Sequence, residues 1–188
     1  MRPTKPDRQA IDLEEAFFAQ ENARLLDELR MKSAKEEQRE RLREVLRIKD
    51  DAFVDRVMAL GISPETVVVL RLVPLVFVAW ADGGIDSRER EAIRKAAAEH
   101  GLAANEIAGK LLDTWLTKQP DEKILSMWKS YMRRIWPRFT ADEQWEARQF
   151  LLQATREVAE AAGGFLGLTS KVSAEERKLL EEFEAVVE

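Results

Sequence analysis

Asp82, Asp86 and Glu89 stand four and three residues apart around the Gly83-Gly84 turn, where one apolar helix ends and an acidic helix begins. Three carboxylates at such a junction form an all-oxygen set suited to a hard divalent cation, calcium or magnesium, with free helix-end carbonyls completing the shell. The same residues also read as helix caps. Asp86 can accept from first-turn amides while Glu89 reaches back toward the backbone. Asp82 is harder to absorb into that reading, because a carboxylate at a helix C-terminus faces the partial negative charge of exposed carbonyls. An Asx-turn to the following amides is its structural explanation, and a bound cation its functional one. An EF-hand loop is excluded, since the twelfth position from Asp82 is Ile93 and the position requiring glycine holds Ser87.

Other chemistries lack their parts. The chain has no cysteine, which removes disulfides, thiolate nucleophiles and sulfur-ligated metal centres. His100 is the single histidine and precedes Gly101, where a helix C-terminus favours its charged form, so it reads as a surface cap residue. Zinc hydrolase and nucleophilic triad schemes are therefore incomplete. The stretch from Trp128 to Arg138 mixes aromatic and basic residues, but Ile124, Leu125, Trp128, Met132 and Ile135 recur at helical spacing and leave Lys129, Arg133 and Arg134 as a solvated face. A net charge of −5 argues further against a nucleic-acid partner.

The elements that position these residues are helices. With 45% hydrophobic and 35% charged residues in 188, and only 8 glycines and 6 prolines, the chain suits an all-α domain with a heavily charged surface. Residues 1–9 read as a flexible lead-in, and residues 10–62 as a helical arm. In that arm Leu13, Ala16, Phe17, Leu25, Leu26 and Leu29 form an apolar stripe, while Met31 to Arg43 form a polar, ion-paired helix. Phe53, Val54, Val57, Met58 and Leu60 continue the pattern, which Gly61 should end in the left-handed conformation. Ser63-Pro64-Glu65 then signals the start of a core helix running to Gly83 with a kink at Pro74. Further helices are expected from Ser87 to His100, Ala104 to Lys118, Asp121 to Trp136 and Ala141 to Ala162, and a last one capped by Ser173 and reaching Val187.

The Gly-Gly turn returns in weakened form. Val158-Ala-Glu-Ala-Ala-Gly-Gly164 and Val172-Ser-Ala-Glu-Glu-Arg177 align Gly163-Gly164 with Gly83-Gly84 and Glu176-Arg177 with Glu89-Arg90, the mark of a duplicated helix-turn-helix unit. The segment Ala81-Asp-Gly-Gly-Ile-Asp-Ser-Arg-Glu89, between an apolar and an amphipathic helix, resembles the signature of TerB-like domains, the tellurite-resistance B family. The resemblance covers residues 64–188 and implies an all-helical bundle with pseudo-twofold symmetry, divalent-cation binding through clustered acids, and a role in stress response or in membrane-linked assemblies. No reaction comes with it. Its acidic positions fall on Asp82, Asp86 and Glu89, whereas the second copy holds Ala162, Ser173 and Glu176, which leaves one carboxylate of three and no symmetric second site.

Together these features predict a compact helical bundle over residues 63–188 with internal pseudo-duplication, preceded by the arm. The expected function is non-enzymatic: a TerB-like stress-response protein that binds calcium or magnesium at Asp82, Asp86 and Glu89 and acts through protein partners. The alternative is a metal-free helical scaffold or oligomerisation module in which those acids only cap. Phe17, Phe18, Leu25, Leu26 and Leu29 should be covered, either by packing back in one monomer or by self-association. The apolar run from Val67 to Ala81 is too short to span a bilayer, and the first residues lack a signal-like apolar core. A cytoplasmic location is therefore expected, with membrane association only peripheral and through partners.

Overall fold

The computed structural model describes residues 8–99, 101–102, 105–162 and 173–187. Among these the chain is all-α with no strand. It divides into two compact units, the first ending at Arg41 and the second beginning at Leu42.

In the first unit the two expected stretches of arm helix form one element, α1 (Arg8–Leu46). Good helix formers and close ion pairs such as Arg24 with Glu21 and Glu28, at 2.6 and 2.8 Å, support it along its surface. Phe17, Leu25, Leu26 and Leu29 are exposed, whereas the side chains of Leu13, Ala16 and Phe18 lie outside the described residues.

The second unit takes in more of the chain than the boundary expected after residue 62. Its core includes Leu42, Leu46, Ile48, Phe53, Val54, Val57 and Ile62, because the last turn of α1 and all of α2 (Asp51–Ala59) carry apolar faces that only a shared core can bury. Each fully buried side chain of this kind contributes about 1.5–3 kcal/mol. Both helices end in the same way. The amide of Ile62 bonds to the Val57 carbonyl past Gly61, whose φ is 78°, and the amide of Ile48 bonds to the Arg43 carbonyl past Arg47, whose φ is 54°. In each case the residue after the left-handed position tucks into the core.

Ser63-Pro64-Glu65 does not open a long α-helix. The acceptor is Thr66, whose Oγ1 takes the Ser63 amide at 2.8 Å, and Val67–Leu72 follows as a 3-10 turn. The β-branched run Thr66-Val-Val-Val69 crowds an α-helix at χ1. Pro74, lacking an amide hydrogen, fits at the start of α3 (Val73–Ala79) rather than as a kink within it. All seven residues of α3 are buried.

The remaining helices lie close to expectation: α4 (Ser87–Glu99), α5 (Glu106–Thr117), α6 (Glu122–Ile135), α7 (Ala141–Ala162) and α8 (Ala174–Glu184). α3 packs against α4, α6, α7 and α8, and α7 against α3, α4 and α8. Among α3, α4, α7 and α8, exchanging α3 with α7 and α4 with α8 maps α3–α4 onto α7–α8 and α4–α7 onto α3–α8, whereas α6 packs on α3 without a counterpart on α7. The duplication legible in the sequence is thus a packing symmetry. Gly83 and Gly101 adopt φ of 97° and 79° at the two turns around α4, where an L side chain would be strained. His100, Gly163 and Gly164 lie outside the described residues.

The expected face of α6 needs one correction. Arg134 stands over the Phe53 ring at 4.7 Å and Lys129 pairs with Glu182 at 2.5 Å. Only Arg133 of the three basic residues is left as a solvated group, because the other two reach side chains on α2 and α8 that the sequence alone could not place beside them.

Candidate functional site

The α3–α4 turn puts Asp86 at the N-cap of α4. Its Oδ1 accepts from the amides of Arg88 and Glu89 at 2.7 and 2.9 Å, and Glu89 Oε2 accepts from the Asp86 amide at 2.8 Å. This reciprocal box satisfies three backbone donors that a helix start would otherwise leave open. Ser173 and Glu176 build the matching box at α8, and Thr140 with Glu143 a third at α7. The first two send their glutamates inward: Glu89 and Glu176 are 2% and 3% exposed, whereas Glu143 stays exposed.

Burial leaves Glu89 in an unfavourable setting. Its Oε1 is enclosed and has no hydrogen-bond partner among the described residues, which is costly for a polar oxygen away from water. Burial pushes its carboxyl up to about 7; the Asp86 amide opposes that rise, and the charges of Asp86, Asp82 and Glu176 add to it. Asp82 is exposed, and its side chain takes no hydrogen bond from any described residue, so the Asx-turn expected from its position is not formed. Asp82, Asp86 and Glu89 therefore share one electrostatic neighbourhood, and the first two do not enclose the third. Among the described residues no three acidic or histidine side chains are gathered closely enough to hold a metal ion.

No family model, curated protein or solved structure matches the chain. The site thus rests on its own geometry. Glu176 is the member that sequence reasoning set aside: assigned to a separate, degraded half-site, it acts on Glu89 across the helix pairs. The repeated capping box was the signal, since α3 and α7, which precede the two boxes, pack against each other. Among the described residues no helix is long and apolar enough to cross a membrane.

Proposed function

We propose that this chain is a non-enzymatic, TerB-like helical protein of stress physiology that takes a divalent cation, calcium or magnesium, beside Glu89 and acts through protein partners. The observation that carries the reading is the enclosed Oε1 of Glu89, without a hydrogen-bond partner among the described residues, with the charges of Asp82, Asp86 and Glu176 acting on the same carboxyl. A hard cation relieves both penalties, replacing mutual repulsion with shared coordination. The exposed Asp82 side chain would turn toward Glu89 to complete the donor set. The arm supplies the partner surface, since Leu25, Leu26 and Leu29 present exposed apolar area on α1. A cytoplasmic setting with peripheral, partner-mediated membrane contact belongs to the same proposal.

A second reading, a metal-free scaffold, is favoured by the capping bonds, which already occupy Asp86 Oδ1 and Glu89 Oε2. Thermal unfolding separates the two. On the cation reading, millimolar calcium or magnesium raises the melting temperature relative to chelator, and Asp82→Ala removes the rise while leaving the chelated protein unchanged. Superimposable curves with metal and with chelator in the parent protein would leave the scaffold.

A further inference from the structure

Within the second unit, away from Glu89, a groove of about 680 Å³ opens between the end of α1, the 3-10 turn before α3, α6 and the first turns of α7. Its volume is that of ordinary small-molecule sites. Val45, Val67, Val68, Phe139, Ala147 and Phe150, exposed or half-buried, supply its apolar floor above core residues such as Leu46 and Trp128, and Arg47, Arg71, Arg138 and Tyr131 are among the polar groups on its wall. Burial pushes the Tyr131 phenol up in pKa, and the positive charges of Arg71 and Arg47 oppose that rise. Arg138 donates to the Arg47 carbonyl at 2.6 Å. All three arginines thus line the groove.

Their charges are uncommitted. Among the described residues none of the three is paired with a carboxylate. The wall also carries two carboxylates, Glu143 and Glu146, so three guanidiniums against two acids leave the groove with a net positive charge. Arg47 also sits where the fold has a cheaper choice. α1 and α2 end in the same cap, and α2 places Gly61 at the left-handed position that α1 gives to Arg47. A non-glycine residue there is strained; the charge of Arg47 meets the exposed carbonyls at the end of α1 favourably and also lines the groove.

We propose that this groove binds an amphipathic anion of the fatty-acid class, its carboxylate held by Arg47, Arg71 and Arg138 and its alkyl chain lying on the apolar floor. Guanidiniums suit a carboxylate through paired hydrogen bonds, and the floor rewards a tail that a small anion lacks. The site is independent of the cation beside Glu89.

Calorimetric titration of the full chain with dodecanoate, below micelle-forming concentration, tests it. One dodecanoate should bind per chain, with dodecyltrimethylammonium, the same tail under a cationic head, at least tenfold weaker. Arg71→Gln and Arg47→Gly should each weaken dodecanoate at least fivefold. Arg47→Gly should do so without lowering the melting temperature, since it gives the cap its preferred residue, so the loss cannot be ascribed to unfolding. Equal binding of the cationic amphiphile, or unchanged affinity in both variants, would overturn the proposal. So would a chain that takes no dodecanoate and forms a dimer broken by Arg71→Glu, because the groove would then belong to a second copy.

Discussion

At the start of α4 an aspartate caps the helix while its third residue, Glu89, turns back onto the cap amide; at the start of α8 a serine and Glu176 make the same two bonds. Both glutamates are buried, and the helix pairs that carry them exchange under the packing symmetry. The difference lies in the caps. Asp86 brings a full charge to the edge of a buried carboxyl, where Ser173 brings a neutral hydroxyl. Capping accepts either, as both side chains offer one oxygen to the amides. The electrostatics do not, and Asp86 is among the charges that raise Glu89. Duplication has kept the hydrogen-bonding role in both halves and an acidic cap in only one.

The two halves also differ in their anchors. At the position of α8 equivalent to Ala96 in α4 stands Phe183, fully buried and edge-on to Trp128 at 5.4 Å. Phe183→Ala makes α8 resemble α4 and should have the largest effect, a loss of about 3–5 kcal/mol in urea unfolding, from lost burial plus the cavity left behind. A loss below about 1 kcal/mol would show that α8 does not need its aromatic anchor.

Next comes pH. The folded-state value of about 7 for Glu89 lies above that of an ordinary carboxylate, so as pH rises the unfolded chain sheds this proton first. The stability contributed by the protonated group is therefore complete below the ordinary carboxylate range and is lost as pH climbs to about 7. Glu89→Gln keeps an oxygen for the Asp86 amide and cannot ionise; it should flatten this decline, by about 1–3 kcal/mol between pH 5 and pH 8 in denaturation profiles. Parallel profiles for parent and variant would mean that Glu89 carries its charge at no cost.

The smallest effect should come from making the caps alike. Asp86→Ser preserves an acceptor for the amides and removes one charge facing Glu89, so stability at neutral pH should change by less than about 0.5 kcal/mol. Asp86→Ala should lose about 0.5–2 kcal/mol. If serine costs as much as alanine, the carboxylate has a role at α4 that capping does not explain, and the cation reading gains.

Much of the fold was legible because its signals are local. Gly61, Gly83 and Gly101 terminate or turn the chain through their own freedom at positive φ, and Asp121 and Ser173 open helices by accepting amides within three residues, whereas the caps Asp50 and Asn105 emerged only from the structure. Ser63-Pro64-Glu65 misled because a correct local start signal was followed by β-branched residues and a proline that moved the α-helix to Val73. At the candidate site the Asp86–Glu89 box was equally legible. The burial of Glu89 and the proximity of Glu176 were not, since both arise from helix pairs about ninety residues apart along the chain.

By itself, then, the sequence determined where most helices start and stop, how the unit repeats and which carboxylates stand at the turns, all consequences of backbone sterics and hydrogen bonds within a few residues. Tertiary structure decided that Leu42 to Ile62 join the core, that two capping glutamates face inward, and that Arg47, Arg71 and Arg138 line one groove with Tyr131. Those outcomes depend on which surfaces exclude water from one another. That exclusion is a property of packed helices, with no counterpart in any short window of residues.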